Sequence, residues 1–172
     1  MAEDKKILEA KENTNNREYF LQIVKENPLL IEWANDEIRD DKEIFLEAVK
    51  ANGGALEFAS NRLKNDKDIL LEATSNTGWA ICYAGEKLKD DKDVMLSAVS
   101  NDGQALYYAS ERLRDDKEIV MAAVLNKPII IKYASLRLRQ DEEIIKATLE
   151  KNEKCIEYIA ESLKEKFASK KE

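Results

Sequence analysis

Aspartates at positions 41, 66, 91, 116 and 141 stand 25 residues apart with no insertion between them. Four of them open one type of tripeptide: Asp41-Lys42-Glu43, Asp66-Lys67-Asp68, Asp91-Lys92-Asp93 and Asp116-Lys117-Glu118. Asn16-Arg17-Glu18 fits the same frame one unit earlier. A fixed period of this length marks a tandem array, in which each unit hides its apolar face against the next. The units are then 16–40, 41–65, 66–90, 91–115, 116–140 and 141–165. Residues 1–15 read as an N-terminal cap with a partial helix, and 166–172 as a basic tail.

Stacking the units gives columns of matched chemistry. The fourth is Tyr19, Ile44, Ile69, Val94, Ile119, Ile144. The sixteenth is Ile31, Leu56, Ile81, Leu106, Ile131, Ile156, and the eighteenth is Trp33, Phe58, Tyr83, Tyr108, Tyr133, Tyr158. The twenty-third is Ile38, Leu63, Leu88, Leu113, Leu138, Leu163. Within a unit the pattern predicts two short helices. The first starts after the aspartate, which can cap orphan N–H groups, and an acid two positions on suits the helix dipole. Ile44, Phe45, Ala48 and Val49 follow at helical spacing. It ends at Asn52-Gly53, where glycine is expected to take the left-handed conformation. Gly78 and Gly103 share that slot, whereas Pro28 and Pro128 replace it and open the next helix. Ala55, Leu56, Ala59, Ser60 and Leu63 share a face of the second helix, which is expected to be α because this spacing holds for about two turns. The predicted fold is all-α, a right-handed α-solenoid of six 25-residue helix–turn–helix repeats. The last unit turns polar at Lys146, Thr148 and Glu153, as an end unit lacking a neighbour should.

The segments 103–116 and 116–124, Gly-Gln-Ala-Leu-Tyr-Tyr-Ala-Ser-Glu-Arg-Leu-Arg-Asp-Asp and Asp-Lys-Glu-Ile-Val-Met-Ala-Ala-Val, resemble a known repeat family, domain of unknown function 4116. The resemblance covers 16–165. It implies helical tandem repeats of the kind found in bacterial proteins, some of them pathogen effectors, and in some microbial eukaryotes. It brings no catalytic residues across. A more distant likeness is to leucine-rich-repeat variants, which alternate an α-helix with a 3-10 helix; Asn126-Lys127-Pro128 echoes their turn.

Composition narrows the chemistry. Hydrophobic residues are 44% and charged residues 37% of the chain, too apolar for disorder. There is no histidine, so the commonest general base and zinc ligand are missing. Asp40-Asp41, Asp90-Asp91 and Asp115-Asp116 lack the oxygen density of a calcium loop and read as helix caps. No phosphate-cradling glycine loop appears. Cys82, at an outer position, and Cys155, at an inner one, sit three units apart, about 30 Å at ~10 Å per stacked pair, which excludes a disulfide. No enzymatic activity, catalytic residue, metal or cofactor is expected. A net charge of −7 argues against nonspecific nucleic-acid or anionic-membrane binding. No apolar run approaches the ~20 residues of a membrane helix. A monomer is expected, cytoplasmic or exported without a cleaved signal.

Two surfaces can carry recognition. Columns fourteen, seventeen and twenty-one face away from the core and do not recur; there Trp79, Tyr107, Ile129 and Leu136 are large and apolar where a solvated face prefers charge. Such patches mark interfaces. Tyr83, from the aromatic column, joins them. The function predicted is a protein–protein interaction scaffold binding a peptide or helix on this face. The alternative is a basic edge, Arg62, Lys64, Lys87, Lys89, Arg112, Arg114, Arg137 and Arg139, gripping nucleic acid or an acidic partner. A further alternative is a structural repeat module of a larger bacterial effector.

Overall fold

A computed structural model describes residues 2–168. Every regular element among them is helical, and the elements recur in tandem. Long α-helices run Lys42–Ala51, Lys67–Asn76, Lys92–Asn101, Lys117–Asn126 and Glu142–Lys151, preceded by a shorter counterpart, Arg17–Ile23. Each long helix starts at its aspartate. The Asp41 carboxylate accepts hydrogen bonds from the N–H groups of Glu43 at 3.0 Å and Ile44 at 3.2 Å. Asp66, Asp91, Asp116 and Asp141 repeat that cap. Two N–H groups that have no partner within the helix are thereby satisfied.

The second half of each unit corrects an expectation. In place of a continuous α-helix it holds a 3-10 helix, a break, and a short helical turn. The 3-10 helices are Pro28–Trp33, Gly53–Phe58, Gly78–Tyr83, Gly103–Tyr108, Pro128–Tyr133 and Glu153–Tyr158. Ala59 is extended, with φ −65° and ψ 152°. The following N–H, on Ser60, then donates across to the Arg39 carbonyl of the preceding unit at 3.0 Å. Ser135 does the same to Arg114 at 2.9 Å and Asn35 to Thr14 at 2.7 Å. An N–H committed to the neighbouring unit cannot close a helical turn in its own. The seven-residue interval from Leu56 to Leu63 fits two α turns, but it equally spans a 3-10 helix, a break and a turn. The α and 3-10 alternation is the pattern implied by the more distant likeness.

The glycines correct a second expectation, because no described glycine has a positive φ. Their requirement is close approach. A Cβ on Gly78 would lie 2.5 Å from the Ala98 carbonyl oxygen, and one on Gly103 would lie 2.5 Å from that of Ala123. An asparagine of the following unit completes the contact. Asn101 accepts from the Gly78 N–H at 2.8 Å and donates to the Ser75 carbonyl at 2.9 Å. Asn126 accepts from Gly103 at 2.9 Å and donates to Ser100 at 3.1 Å. Proline has no N–H to offer, and after Pro28 and Pro128 the matching positions are Ala51 and Lys151 instead.

The core forms where successive elements meet. Ile44, Phe45, Ala48, Val49, Ala55, Leu56 and Leu63 are fully buried, as are most of their counterparts one period on. Leu88 departs from its column and is only partly buried. Each long helix packs on the next long helix, and each 3-10 helix on the next 3-10 helix.

Two polar ladders cross these junctions. In the first, Lys42, Lys67, Lys92 and Lys117 reach the capping aspartate of the next unit at 2.8–2.9 Å. The same ammonium groups also pair with the acid two positions further on. The ladder inverts at its end, where Glu142 replaces the lysine and Lys166 the aspartate, and these two pair. In the second, Asp90 accepts from the Ser110 hydroxyl and from Arg112 Nε at 3.0 Å. Asp40 with Ser60 and Arg62, and Asp115 with Ser135 and Arg137, repeat that set. Where Asn65 replaces the aspartate, Gly85 stands in place of the serine and Lys87 in place of the arginine, and a Cβ on Gly85 would lie 1.9 Å from Asn65 Oδ1. The facing residues change together because they share one space.

At the ends, helix Ala2–Glu12 packs on Pro28–Trp33, burying Ala10, and helix Glu161–Ala168 lays Leu163 and Phe167 against the core. Residues 169–172 of the expected tail lie outside the described residues. Among the described residues no helix is long and apolar enough to cross a membrane, and no three His, Cys, Asp or Glu side chains form a metal-binding group.

Candidate functional site

Columns fourteen and seventeen lie in the 3-10 helices, where most of their side chains face outward, and column twenty-one lies in the segment that follows. Six consecutive residues in 3-10 geometry place positions three apart in line. Residues such as Ala80 and Ile81 are thereby buried, and Trp79 is turned outward at 43% exposure. Trp79 leans over the preceding unit at Gly54, where an added Cβ would stand 3.3 Å from its indole. Its ring also meets Tyr83 edge-on at 5.7 Å. The Tyr83 hydroxyl donates to Glu57 Oε2 at 2.9 Å. Burial and that carboxylate push the phenol up to about 12.

One unit further on, Tyr107 is 52% exposed. Its ring stands edge-on to Tyr108 and to Tyr133, with both centroids 5.1 Å away. Edge-to-face pairs of this kind hold rings in fixed orientation beyond what area burial contributes. A groove of about 250 Å³ opens between these units, lined by Trp79, Gln104, Tyr107, Tyr108, Ile130 and Tyr133. No carboxylate, lysine, arginine or thiol lines it.

Of the outer residues singled out by sequence, Trp79 and Tyr107 line the groove and Tyr83 adjoins it through Trp79. Ile129 and Leu136 are exposed at 38% and 60% but lie outside the lining. Tyr108, Tyr133, Gln104 and Ile130 complete it. The aromatic eighteenth column already signalled two of these four, since a half-buried ring has one edge in the core and one in the groove. Nothing in the sequence pointed to Ile130, 2% exposed, as the groove floor.

The basic edge is largely engaged within the chain. Arg62, Arg112 and Arg137 each bind an aspartate of the preceding unit. Hydrogen bonds from the facing serine and arginine hold Asp40 and Asp115 below the ordinary carboxylate value, and Asp90 is lowered by the same groups. Arg114 Nη2 donates to the Tyr107 carbonyl at 2.6 Å, which ties the groove residue's backbone to the next turn. Lys89 pairs with Glu86 at 2.9 Å, and the Lys64 ammonium lies 5.9 Å from the Tyr83 ring centroid. The Nε of Arg139 is buried without a hydrogen-bond partner. Lys87 stands at the position of Arg62, Arg112 and Arg137, at the junction where Asn65 replaces the aspartate. Cys82 and Cys155 are both free thiols, and burial pushes both up, away from thiolate reactivity.

A family model described as Domain of unknown function (DUF4116) matches residues 16–61, 41–89, 91–139 and 117–164. No curated protein and no solved structure matches the chain.

Proposed function

The chain belongs to the Domain of unknown function (DUF4116) family, and on that premise we propose that it is a solenoid of six 25-residue units acting as a protein–protein interaction scaffold. Support for the stack comes from packing that runs from each unit to the next and from polar ladders that repeat at the junctions. Support for the scaffold role is one observation. A groove opens between Trp79 and Tyr107, at positions that the repeat leaves free to vary, and Tyr108 and Tyr133 of the recurring aromatic column. Tryptophan and tyrosine dominate binding hot spots because they bring large, rigid contact area with few rotatable bonds. At about 250 Å³ the groove falls below the usual ~300–1,000 Å³ of a small-molecule or cofactor site and suits side chains of a peptide. Its lining offers no carboxylate, lysine or thiol to work with its tyrosine hydroxyls, which supports a role without catalysis.

The basic edge is the weaker reading, because the guanidinium groups of Arg62, Arg112 and Arg137 are committed to aspartates and so offer less to phosphates. The test is selection of peptides from a displayed library against the native chain and against the Trp79→Ala/Tyr107→Ala double variant. Selected peptides should lose binding to the double variant. Peptides that bind both chains equally, and lose binding on charge reversal of Arg112 and Arg114, would move the site to the basic edge.

A further inference from the structure

Each long helix has a side that faces the preceding unit, and contacts across the junctions mark the columns that lie on it. The third-column acids are there, because Glu43, Asp68, Asp93, Glu118 and Glu143 each pair with a cation of the unit before. The seventh column is there too, since Glu47 meets Lys25 and Ser97 accepts from the Thr74 hydroxyl at 2.9 Å. The fourth and eighth columns share that side at i, i+4 spacing. In the later units they are sealed. Ile44 with Ala48, Ile69 with Ala73 and Ile119 with Ala123 are fully buried, as are the pairs of the remaining two units.

The first unit differs. Tyr19 and Ile23, in the same two columns, are only partly buried. Helix Ala2–Glu12 stands before this unit but packs on Pro28–Trp33. It therefore closes the row of 3-10 helices and leaves the row of long helices open. A groove of about 160 Å³ lies on the open side, lined by Tyr19, Gln22, Ile23 and Glu26. Glu18 holds the third column there and is exposed. Among the described residues it has no cation of the kind that meets the other third-column acids.

The closed junctions show what fits such a side. Each is covered by one helix that opens with a cation, Arg17, Lys42, Lys67, Lys92 or Lys117. In Lys92–Asn101 the buried Met95 and Val99 follow the lysine at i+3 and i+7, on its face of the helix. A second copy of this chain does not supply that helix. Its last long helix carries Glu142 in the lysine's place, paired with Lys166. Stacked head to tail, Glu142 would meet Glu18, and like charges repel. The matching helix belongs to a different chain.

We propose that the open side of helix Arg17–Ile23 docks one amphipathic helix of another protein, with a first-turn lysine or arginine on Glu18 and aliphatic side chains on Tyr19 and Ile23. This site is separate from the Trp79–Tyr107 groove and does not depend on it.

The probe is a fluorescein-labelled, hydrocarbon-stapled peptide of residues 90–102, stapled because a free helix this short is marginal in water. It is titrated into the full chain by fluorescence polarisation, and thermal melting checks that each variant folds. Saturable binding is expected. Glu18→Lys in the chain, or Lys92→Glu in the probe, should weaken it about fivefold, the upper range for an exposed ion pair. The two changes together should restore it. Met95→Asp in the probe should abolish binding, and Trp79→Ala in the chain should leave it unchanged. No saturable binding, or binding indifferent to Glu18→Lys, overturns this proposal and leaves the aromatic groove standing. Binding lost with Trp79→Ala moves the peptide to that groove and overturns it equally. Sedimentation of the chain alone should show a monomer. Self-association that Glu18→Lys abolishes would make the occupant a second copy and sink the choice of a different partner.

Discussion

At the N-terminal ends of the long helices one arrangement repeats from junction to junction. A lysine of one unit meets the capping aspartate and the following acid of the next. Across the outer face of the 3-10 helices nothing repeats. The fourteenth column reads Leu29, Gly54, Trp79, Gln104, Ile129, Lys154, and the seventeenth Glu32, Glu57, Cys82, Tyr107, Lys132, Glu157. Both regions are solvent-accessible, so exposure does not explain the difference. The lysine edge joins units, and any unit must offer the same partner groups to its neighbour. The outer face also carries contacts between units, such as Trp79 over Gly54 and Tyr107 against Tyr133, but these differ from junction to junction, so no one partner group is demanded of every unit. Recurrence marks the contacts shared by successive junctions, and its absence marks the surface on which the proposed recognition site lies.

The largest expected effect lies beneath both regions. Leu113 is fully buried where successive elements meet, and Leu113→Ala should cost about 2–5 kcal/mol in chemical denaturation. Leu88→Ala, at the same column but only partly buried, should cost less, and an equal cost would mean that the two junctions pack alike.

Gly78→Ala should come next, at about 1–3 kcal/mol. Its Cβ would meet backbone at 2.5 Å (Ala98 O) and 2.7 Å (Asp102 N), which only a shift between units relieves. Gly54→Ala, whose Cβ would meet the Asn52 side chain at 3.0 Å and the Trp79 indole at 3.3 Å, should cost less and act on the groove instead. Equal melting temperatures for the two variants would break the distinction between junction and outer face.

Acid should separate the regions further. At Asp66, Asp91 and Asp116 burial works to raise the carboxyl, but the lysine of the preceding unit and the helix N–H groups more than offset it. The net value falls below the ordinary 3.8. A depressed folded value means that this stability is present above the ordinary carboxylate range and is lost as pH falls through the folded value. The melting temperature should therefore hold steady from neutral pH to about pH 5 and drop below about pH 4. Asp116→Asn should lower it at neutral pH and flatten the acid limb. An unchanged acid limb in that variant would show that the cap and ladder contribute nothing through charge.

The smallest expected effect belongs to the outer face. Trp79→Ala and Tyr107→Ala should each shift stability by no more than about 0.5 kcal/mol, as surface substitutions outside caps and cores do. A larger loss, measured by denaturation, would show that the contacts of Trp79 with Gly54 and of Tyr107 with Tyr133 help to hold the units together.

The family, the helical class and the tandem period were legible in the residues. A 25-residue recurrence of Asp-Lys-acid and of apolar columns leaves few ways to bury those columns. The helix starts were legible too, because an aspartate cap acts within three residues of itself. Two readings went astray at Ala59 and Gly78 for one reason. The α-helix expected through Ala59 and the left-handed turn expected at Gly78 were both judged from neighbours in sequence. The deciding partners, the Arg39 carbonyl for Ser60 and the Ala98 carbonyl for Gly78, lie about twenty residues away and belong to an adjacent unit.

The groove divides in the same way. Trp79 and Tyr107 stood out because they are large and apolar in outer columns that do not recur. Their meeting with Tyr108, Tyr133 and Ile130 depends on how far one 3-10 helix is set against the next. Local sequence determined which residues face outward, since that follows from spacing along one helix. Only the packing of units decided which of them touch, because contact between residues one period apart is set by the distance between backbones, and no single unit carries that distance.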